Sequence, residues 1–415
     1  MIKPCFILTI IQIIFLLWGG SYSQSIDQVK TGLDRVSDYR DLFKGKRIGI
    51  ITNHTAYNAL GQHIINVFSK MPDVRLTALF GPEHGIRGMK VAGQEIDDQI
   101  DSVLHIPIYS LYGNTHKPTP EMLANTDILV FDIQDVGARF YTYISTLSMV
   151  MESAAENRKT IIVLDRPNPI TGVYVEGNIL DPRFSSFVGL HPIPVRHGMT
   201  IGELAKMFNE EGWLKNRIRA DLIIVPLQNW KRSMWYDQTG LKWIPPSPNI
   251  PDLTVATAYP GTCLFEGTNI SEGRGTYEPF LKIGAPWFDL DSLHLTSKNF
   301  HLPGVRFNPV RFVPISIPAM AVQPKFQDQN LSGVEVEITD RDKFQAYLSG
   351  IALVKHLYES GSSQFRWEES HFDHLCGTDL IRNFIVSGKT IEEIKKWLEE
   401  NIQPFYKIRS KYLLY

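Results

Sequence analysis

The sequence predicts a doubly wound α/β fold with a parallel sheet between helices, followed by a second, smaller α/β set of elements. Three observations carry this. The apolar runs of strand length in the first half are continuous, as expected for strands covered on both faces. Segments of helical period lie between them, so the alternation is that of a parallel sheet under helices. Near residue 243 the composition turns to proline and asparagine, and a shorter second series begins.

The strand candidates are "KRIGIIT" (46–52), "VRLTALFG" (74–81), "IPIYSLYG" (106–113), "DILVFDI" (127–133), "KTIIVLD" (159–165) and "DLIIVPL" (221–227). Helix candidates between them are "QHIINVFSK", "PTPEMLANT" and the stretch from Tyr141 to Asn157. Thr200 and Glu203 form a capping box ahead of the amphipathic "TIGELAKMFNEEGW". "WIPPSPNIPDL" (243–253) reads as a connector. Beyond it, "GVEVEITD" (333–340) alternates like a half-exposed strand, a helix runs from Lys343 to Tyr358, and Thr390 with Glu393 caps "TIEEIKKWLEENI".

At the N-terminus, Lys3 precedes the apolar "CFILTIIQIIFLLW" and the small or polar "GGSYSQS". That is the layout of a secretory signal peptide, with cleavage near Ser23–Gln24; an uncleaved anchor is the competing reading. The expected organisation is therefore a signal peptide over 1–23, an N-terminal domain over 24–253 and a C-terminal domain over 254–415, in a periplasmic or secreted protein without stable membrane insertion. Cys263 and Cys376 are expected as two buried thiols, a single disulfide being the alternative. A formal net charge of -2, with no basic run, gives nucleic acid no electrostatic footprint.

Polar clusters follow the apolar runs. After the first stands His54; after the second, Glu83 and His84 in "LFGPEHGIRG"; after the fourth, Asp132, Asp135, Arg139, Tyr141 and Tyr143 in "DIQDVGARFYTY"; after the fifth, Asp165, Arg166 and Asn168 in "DRPNP". In open parallel sheets ligands bind beyond the carboxyl ends of the strands, so four such clusters converge on one region. No strand leads into G-x-G-x-x-G and no P-loop is present, so no nucleotide is expected; H-E-x-x-H and G-x-S-x-G are also missing. The inventory left, carboxylates beside arginine and aromatic rings, suits sugar chemistry. "LFEGTNISEGRGT" (264–276) adds Glu266, Asn269, Glu272 and Arg274 as a second wall or as a tight turn, and "GAPW" adds Trp287 as a sugar platform or a core residue.

"ITNHTA", "LFGPEHGIRG", "FDIQDVGARFYTY", "LDRPNP", "HGMTIGELA", "PSPNIP", "YPGTCLFEGTNISEGRGT" and "GAPW" together resemble the NamZ family, exo-β-N-acetylmuramidases of bacterial cell-wall recycling, formerly a domain of unknown function. The similarity runs from about Gly32 to the closing "KYLLY". It implies a Rossmann-like N-terminal domain, a smaller mixed α/β domain and a cleft near their interface. It also implies release of terminal N-acetylmuramic acid from the non-reducing end of peptidoglycan fragments, with no nucleotide or metal. Glu83 matches the family's leading carboxylate, and a carboxyl walled in by Pro82 and Gly85 loses water, which favours the neutral, proton-donating form. His84 is the alternative acid or an orienting group. Asp132, Asp135 and Glu272 are candidates for the second role, with the substrate's own acetamido group a further one. Arg139 and Arg274, then Arg87 and Arg166, are candidates for the lactyl carboxylate; His54, Tyr141, Tyr143 and Asn269 are candidates for the sugar hydroxyls. Two rival classes are a muropeptide-binding module without turnover and a metal-dependent amidase or deacetylase using His54, His84 and Asp132.

Overall fold

Burial on both faces explains the strands. The computed structural model describes residues 28–88, 98–289, 302–361 and 363–415, so the expected signal peptide lies outside the described residues. The strands of the first half are β1 (Arg47–Thr52), β2 (Arg75–Gly81), β3 (Gln99–Ile100), β4 (Pro107–Ser110), β5 (Ile128–Asp132), β6 (Thr160–Leu164) and β7 (Asp221–Val225). Along β5 and β6, Leu129, Phe131, Ile161 and Val163 enter one core while Ile128, Val130, Ile162 and Leu164 enter another. Each unbroken apolar run is thus split by its pleat between two layers. Helices α2 (Tyr143–Glu156) and α3 (Ile201–Glu210) cover the first face. Helix α1 (Ile64–Ser69) and the 3₁₀ segment Leu33–Leu42 cover the second.

The sheet order is β3-β4-β2-β1-β5-β6-β7, antiparallel only at the short β3 edge. Without that edge, the parallel strands run third, second, first, fourth, fifth, sixth, the doubly wound order. The direction of winding reverses between β1 and β5, which pair from Ile48↔Ile128 to Thr52↔Asp132. A crevice at that reversal is where such sheets bind ligands.

The second half holds an antiparallel sheet, β8 (Lys282–Ala285), β10 (Leu331–Ile338) and β9 (Val305–Phe312), in the order β8-β10-β9. It packs with α4 (Leu253–Thr262) and the helix Ala346–Ser360. These two helices approach so closely that a Cβ on Gly261 would lie 1.9 Å from the Ala346 carbonyl oxygen. Both expected capping boxes form, at Thr200/Glu203 and Thr390/Glu393.

Two expectations need correction. "PTPEMLANT" is a run of turns, closed by bonds such as Thr126 N–H to the Leu123 carbonyl; Pro118 and Pro120 supply no N–H and hold the chain out of the helical ladder. Trp287 is no platform: its ring packs against Gly361, where a Cβ would meet it at 2.1 Å. Cys263 and Cys376 are free and buried.

The halves share one core, which runs from Leu129 and Phe131 through Tyr259 and Phe280 to Phe405 and Tyr412. Arg139 adds polar ties, donating to the carbonyls of Asn178 (3.0 Å), Ile193 (2.9 Å) and Leu375 (2.9 Å). Tyr415 donates from its hydroxyl to Asp165 Oδ2 at the end of β6 (2.6 Å).

Candidate active site

The turn after β2 carries Glu83. Gly85 N–H bonds the Pro82 carbonyl (2.9 Å) and Gly88 N–H the Gly85 carbonyl (3.1 Å). His84, Gly85 and Gly88 all take positive φ, of 69°, 71° and 65°. A Cβ on Gly88 would fall 2.0 Å from His54 Nδ1, so glycine lets the turn lie flat on the His54 ring. Glu83 Oε2 accepts a hydrogen bond from Thr142 Oγ1 (2.8 Å), just ahead of α2. Tyr112 faces the same carboxylate; burial, then Glu83, pushes its hydroxyl above the ordinary tyrosine range.

The ends of β1 and β5 supply the floor. Asn53 Oδ1 accepts from Thr55 N–H (2.9 Å) and Oγ1 (2.6 Å), which leaves its buried Nδ2 to face the Tyr143 hydroxyl. Asp135 Oδ2 accepts from Gly137 N–H (2.7 Å), while its buried Oδ1 has no donor. Tyr143 ties these groups together. Burial raises its hydroxyl, and the Glu83 and Asp135 carboxylates both act on it in the same direction. Its ring lies edge-on to Tyr141, with centroids 4.8 Å apart, and the buried Tyr141 hydroxyl faces Ser247 and the Tyr143 hydroxyl.

The roof comes from the connector. Tyr143 donates to the Pro246 carbonyl (2.8 Å), and His54 Nε2 bonds the Pro245 carbonyl (2.7 Å). Burial, with His84 close by, lowers the His54 pKa and keeps the ring neutral. A cavity of about 640 Å3 adjoins this rim, lined by His54, His84, Arg87 and Tyr109 among others.

Thus Glu83, His84, His54, Asp135, Tyr141 and Tyr143 come together at the reversal point. Other expected residues are engaged elsewhere. Asp132 is fully buried and bound by Arg166 through Nε and Nη2 (3.0 Å to Oδ2), because β5 and β6 are neighbours and set opposite charges side by side. That pair engages Asp132 and Arg166 with each other. Arg139 points into the interdomain core, its guanidinium taken up by carbonyls.

The glycine-rich loop is a closed charge network. Arg274 bonds Glu266 (2.6 Å) and stands 3.4 Å from Glu272, whose other oxygen lies 3.1 Å from Lys325 Nζ. Two carboxylates thus face two cations across this loop. Tyr259, between Tyr141 (6.0 Å) and Phe280 (4.9 Å), stands on the path from this network to the tyrosines above. Asn269 is committed to the Gln364 carbonyl (2.9 Å) and Arg366 N–H (2.9 Å). Among the described residues, no group of three His, Cys, Asp or Glu is arranged to hold a metal ion.

Sequence reasoning missed Asn53, Tyr112, Thr142, Ser247, which faces the Tyr141 hydroxyl, and His197, whose Nε2 stands 3.8 Å from Asp135 Oδ2. Asn53 sits inside "TNHT" and Thr142 between the two tyrosines, so their positions beside strand ends were the available signal. Ser247 and His197 lie far from any strand end, and only the fold brings them in.

Two carboxylates among tyrosine hydroxyls and an amide stand at the reversal point of a doubly wound sheet, the inventory and the place expected of a glycoside hydrolase. The comparisons agree. Residues 48–254 match the family model "Exo-beta-N-acetylmuramidase NamZ, N-terminal", and residues 257–415 match its C-terminal counterpart. The chain belongs to this NamZ family. It is 48% identical over 390 residues to the peptidoglycan beta-N-acetylmuramidase NamZ of Bacillus subtilis, covering 94% of this chain and 92% of that one. Two crystal structures of DUF1343-family proteins from Bacteroides fragilis are similar, each at 36% identity. One has a TM-score of 0.86 with 94% of this chain and 99% of that chain covered; the other has 0.76 with 93% and 99%.

Proposed function

We propose that the protein is an exo-acting glycoside hydrolase that releases terminal N-acetylmuramic acid from the non-reducing end of peptidoglycan fragments, with Glu83 as the proton donor to the leaving oxygen. The observation that carries this is the buried polar cluster beside Glu83, made of the Asn53 amide, the Tyr141 and Tyr143 hydroxyls and Asp135, whose Oδ1 has no donor. A buried acceptor is nearly always satisfied, so the unmet Oδ1 marks where a polyhydroxylated ligand donates. Asp135 is the carboxylate left for the second role once Asp132 and Glu272 are paired.

Arg87, exposed on the turn that carries Glu83, is assigned to the lactyl carboxylate, because Arg139, Arg166 and Arg274 are engaged elsewhere. The N-terminal apolar segment supports export, with the mature chain acting on muropeptides outside the cytoplasm. No described helix is long and apolar enough to cross a membrane.

The test is hydrolysis of a chromogenic β-N-acetylmuramide. Glu83→Gln keeps shape and removes the acid, so kcat should fall about 10²–10⁴-fold with folding unchanged. Full activity in Glu83→Gln would overturn the assignment.

A further inference from the structure

We propose that His197 is a positioning residue that fixes the Asp135 carboxylate through its Nε2–H, so that Oδ1 faces a donor on the bound sugar. This rests on the reading of the hollow as the sugar site.

Local geometry defines the pair. His197 is clamped on both sides. Before it, Arg196 exchanges backbone bonds with Glu176 (3.0 and 2.9 Å); after it, the Gly198 carbonyl accepts from Arg232 (3.0 Å) and Arg409 (2.8 Å). Within that clamp, His197 Nδ1 accepts the Met199 N–H (3.2 Å). A ring nitrogen that accepts has no proton, so the neutral ring carries its proton on Nε2. Nε2 is buried, has no hydrogen-bond partner and stands 3.8 Å from Asp135 Oδ2. That gap is too long for a hydrogen bond, yet a small rotation of the carboxylate closes it.

The other side of the carboxylate is equally constrained. Gly137 bonds Oδ2 with φ of 87°, and a Cβ there would lie 2.5 Å from Asn168 Oδ1. The turn that holds Asp135 therefore requires glycine. Each partner keeps one unmet polar atom, Oδ1 on Asp135 and Nε2 on His197. A purely structural histidine would have its second nitrogen satisfied or in water. Two unmet atoms sharing one carboxylate instead describe a pair that completes its bonds together when a sugar O–H or N–H reaches Oδ1; such contacts are often long without ligand and tighten on binding.

The experiment is a double-variant cycle on the full chain with the chromogenic muramide, using His197→Ala, His197→Gln, Asp135→Asn and the double variant Asp135→Asn/His197→Ala. His197→Ala should lower kcat about a hundredfold, the size expected for a misplaced group, with KM little changed. His197→Gln, which keeps an N–H at similar reach, should recover most of that loss. In the Asp135→Asn background, His197→Ala should cost nothing further, because its effect passes through Asp135. Losses that multiply in the double variant, or no recovery with glutamine, overturn the proposal. If His197→Ala does not fold, His197→Asn, too short to reach, replaces it in the same comparison with glutamine. A wild-type chain that releases no muramic acid would instead overturn the hydrolase reading, and this assignment with it.

Discussion

Replacing Asp132 by asparagine separates a supporting role from a chemical one. Its carboxylate takes both Nε and Nη2 of Arg166, and the two side chains are 0% and 3% exposed. Asparagine can accept one of these bonds but brings no charge, so the guanidinium stays buried without its counter-ion. Unit charges about 4 Å apart at a protein-like dielectric interact by about 4 kcal/mol, and breaking a buried pair from one side costs about 3–5 kcal/mol. Asp132→Asn should therefore lose about that much in denaturant unfolding read by linear extrapolation. Replacing both partners by apolar residues of similar volume, Asp132→Leu with Arg166→Met, should recover much of the loss, since no charge is then stranded. Wild-type stability in Asp132→Asn together with abolished hydrolysis would refute this reasoning and return the residue to the list of reacting groups.

Two further outcomes follow from the same geometry. Burial pushes the Asp165 carboxyl up to about 7, against hydrogen bonds from Tyr415, Gly202 and Thr200 that favour the anion. Unfolded, it titrates near 3.9, so between about pH 4 and 7 the folded chain holds the extra proton. Its contribution to stability should fall by about 4 kcal/mol as pH rises through that window and level off above it; Asp165→Asn should flatten the slope of unfolding free energy against pH, and an unchanged slope would contradict the assignment. Arg87→Ala should raise KM about ten- to hundredfold for a muramide, the worth of a charge-assisted bond, and leave a glucosaminide lacking the lactyl group unaffected; equal losses on both would count against it.

Six strands of the first half, their parallel alignment and the grouping of Glu83, Asp135, His54 and the two tyrosines were legible because strand ends follow directly from apolar runs; the short β3, and β8 and β9 of the second half, were not. What could not be read was which groups neutralise each other. Asp132 and Arg166 stand at the ends of adjacent strands, and only the pairing of β5 with β6 brings them into contact. Arg139 lies between tyrosine-rich turn and sheet, and nothing local reveals that its side chain reaches Leu375. Pro245 and Pro246 read as breakers of regular structure, yet their carbonyls roof the site, in contacts made across 191 and 103 residues of chain. His197 was passed over for the capping box beside it, since a histidine that bonds its own turn carries no local sign of a distant carboxylate.

The placing of the site within the first half of the chain has a consequence for how ligand enters. Its groups stand on one sheet and one connector, so no two lobes need close around the hollow, and it is preshaped. Little of the sugar's interaction energy is then consumed in drawing the lobes together, and departure of product waits on individual side chains instead of a global opening.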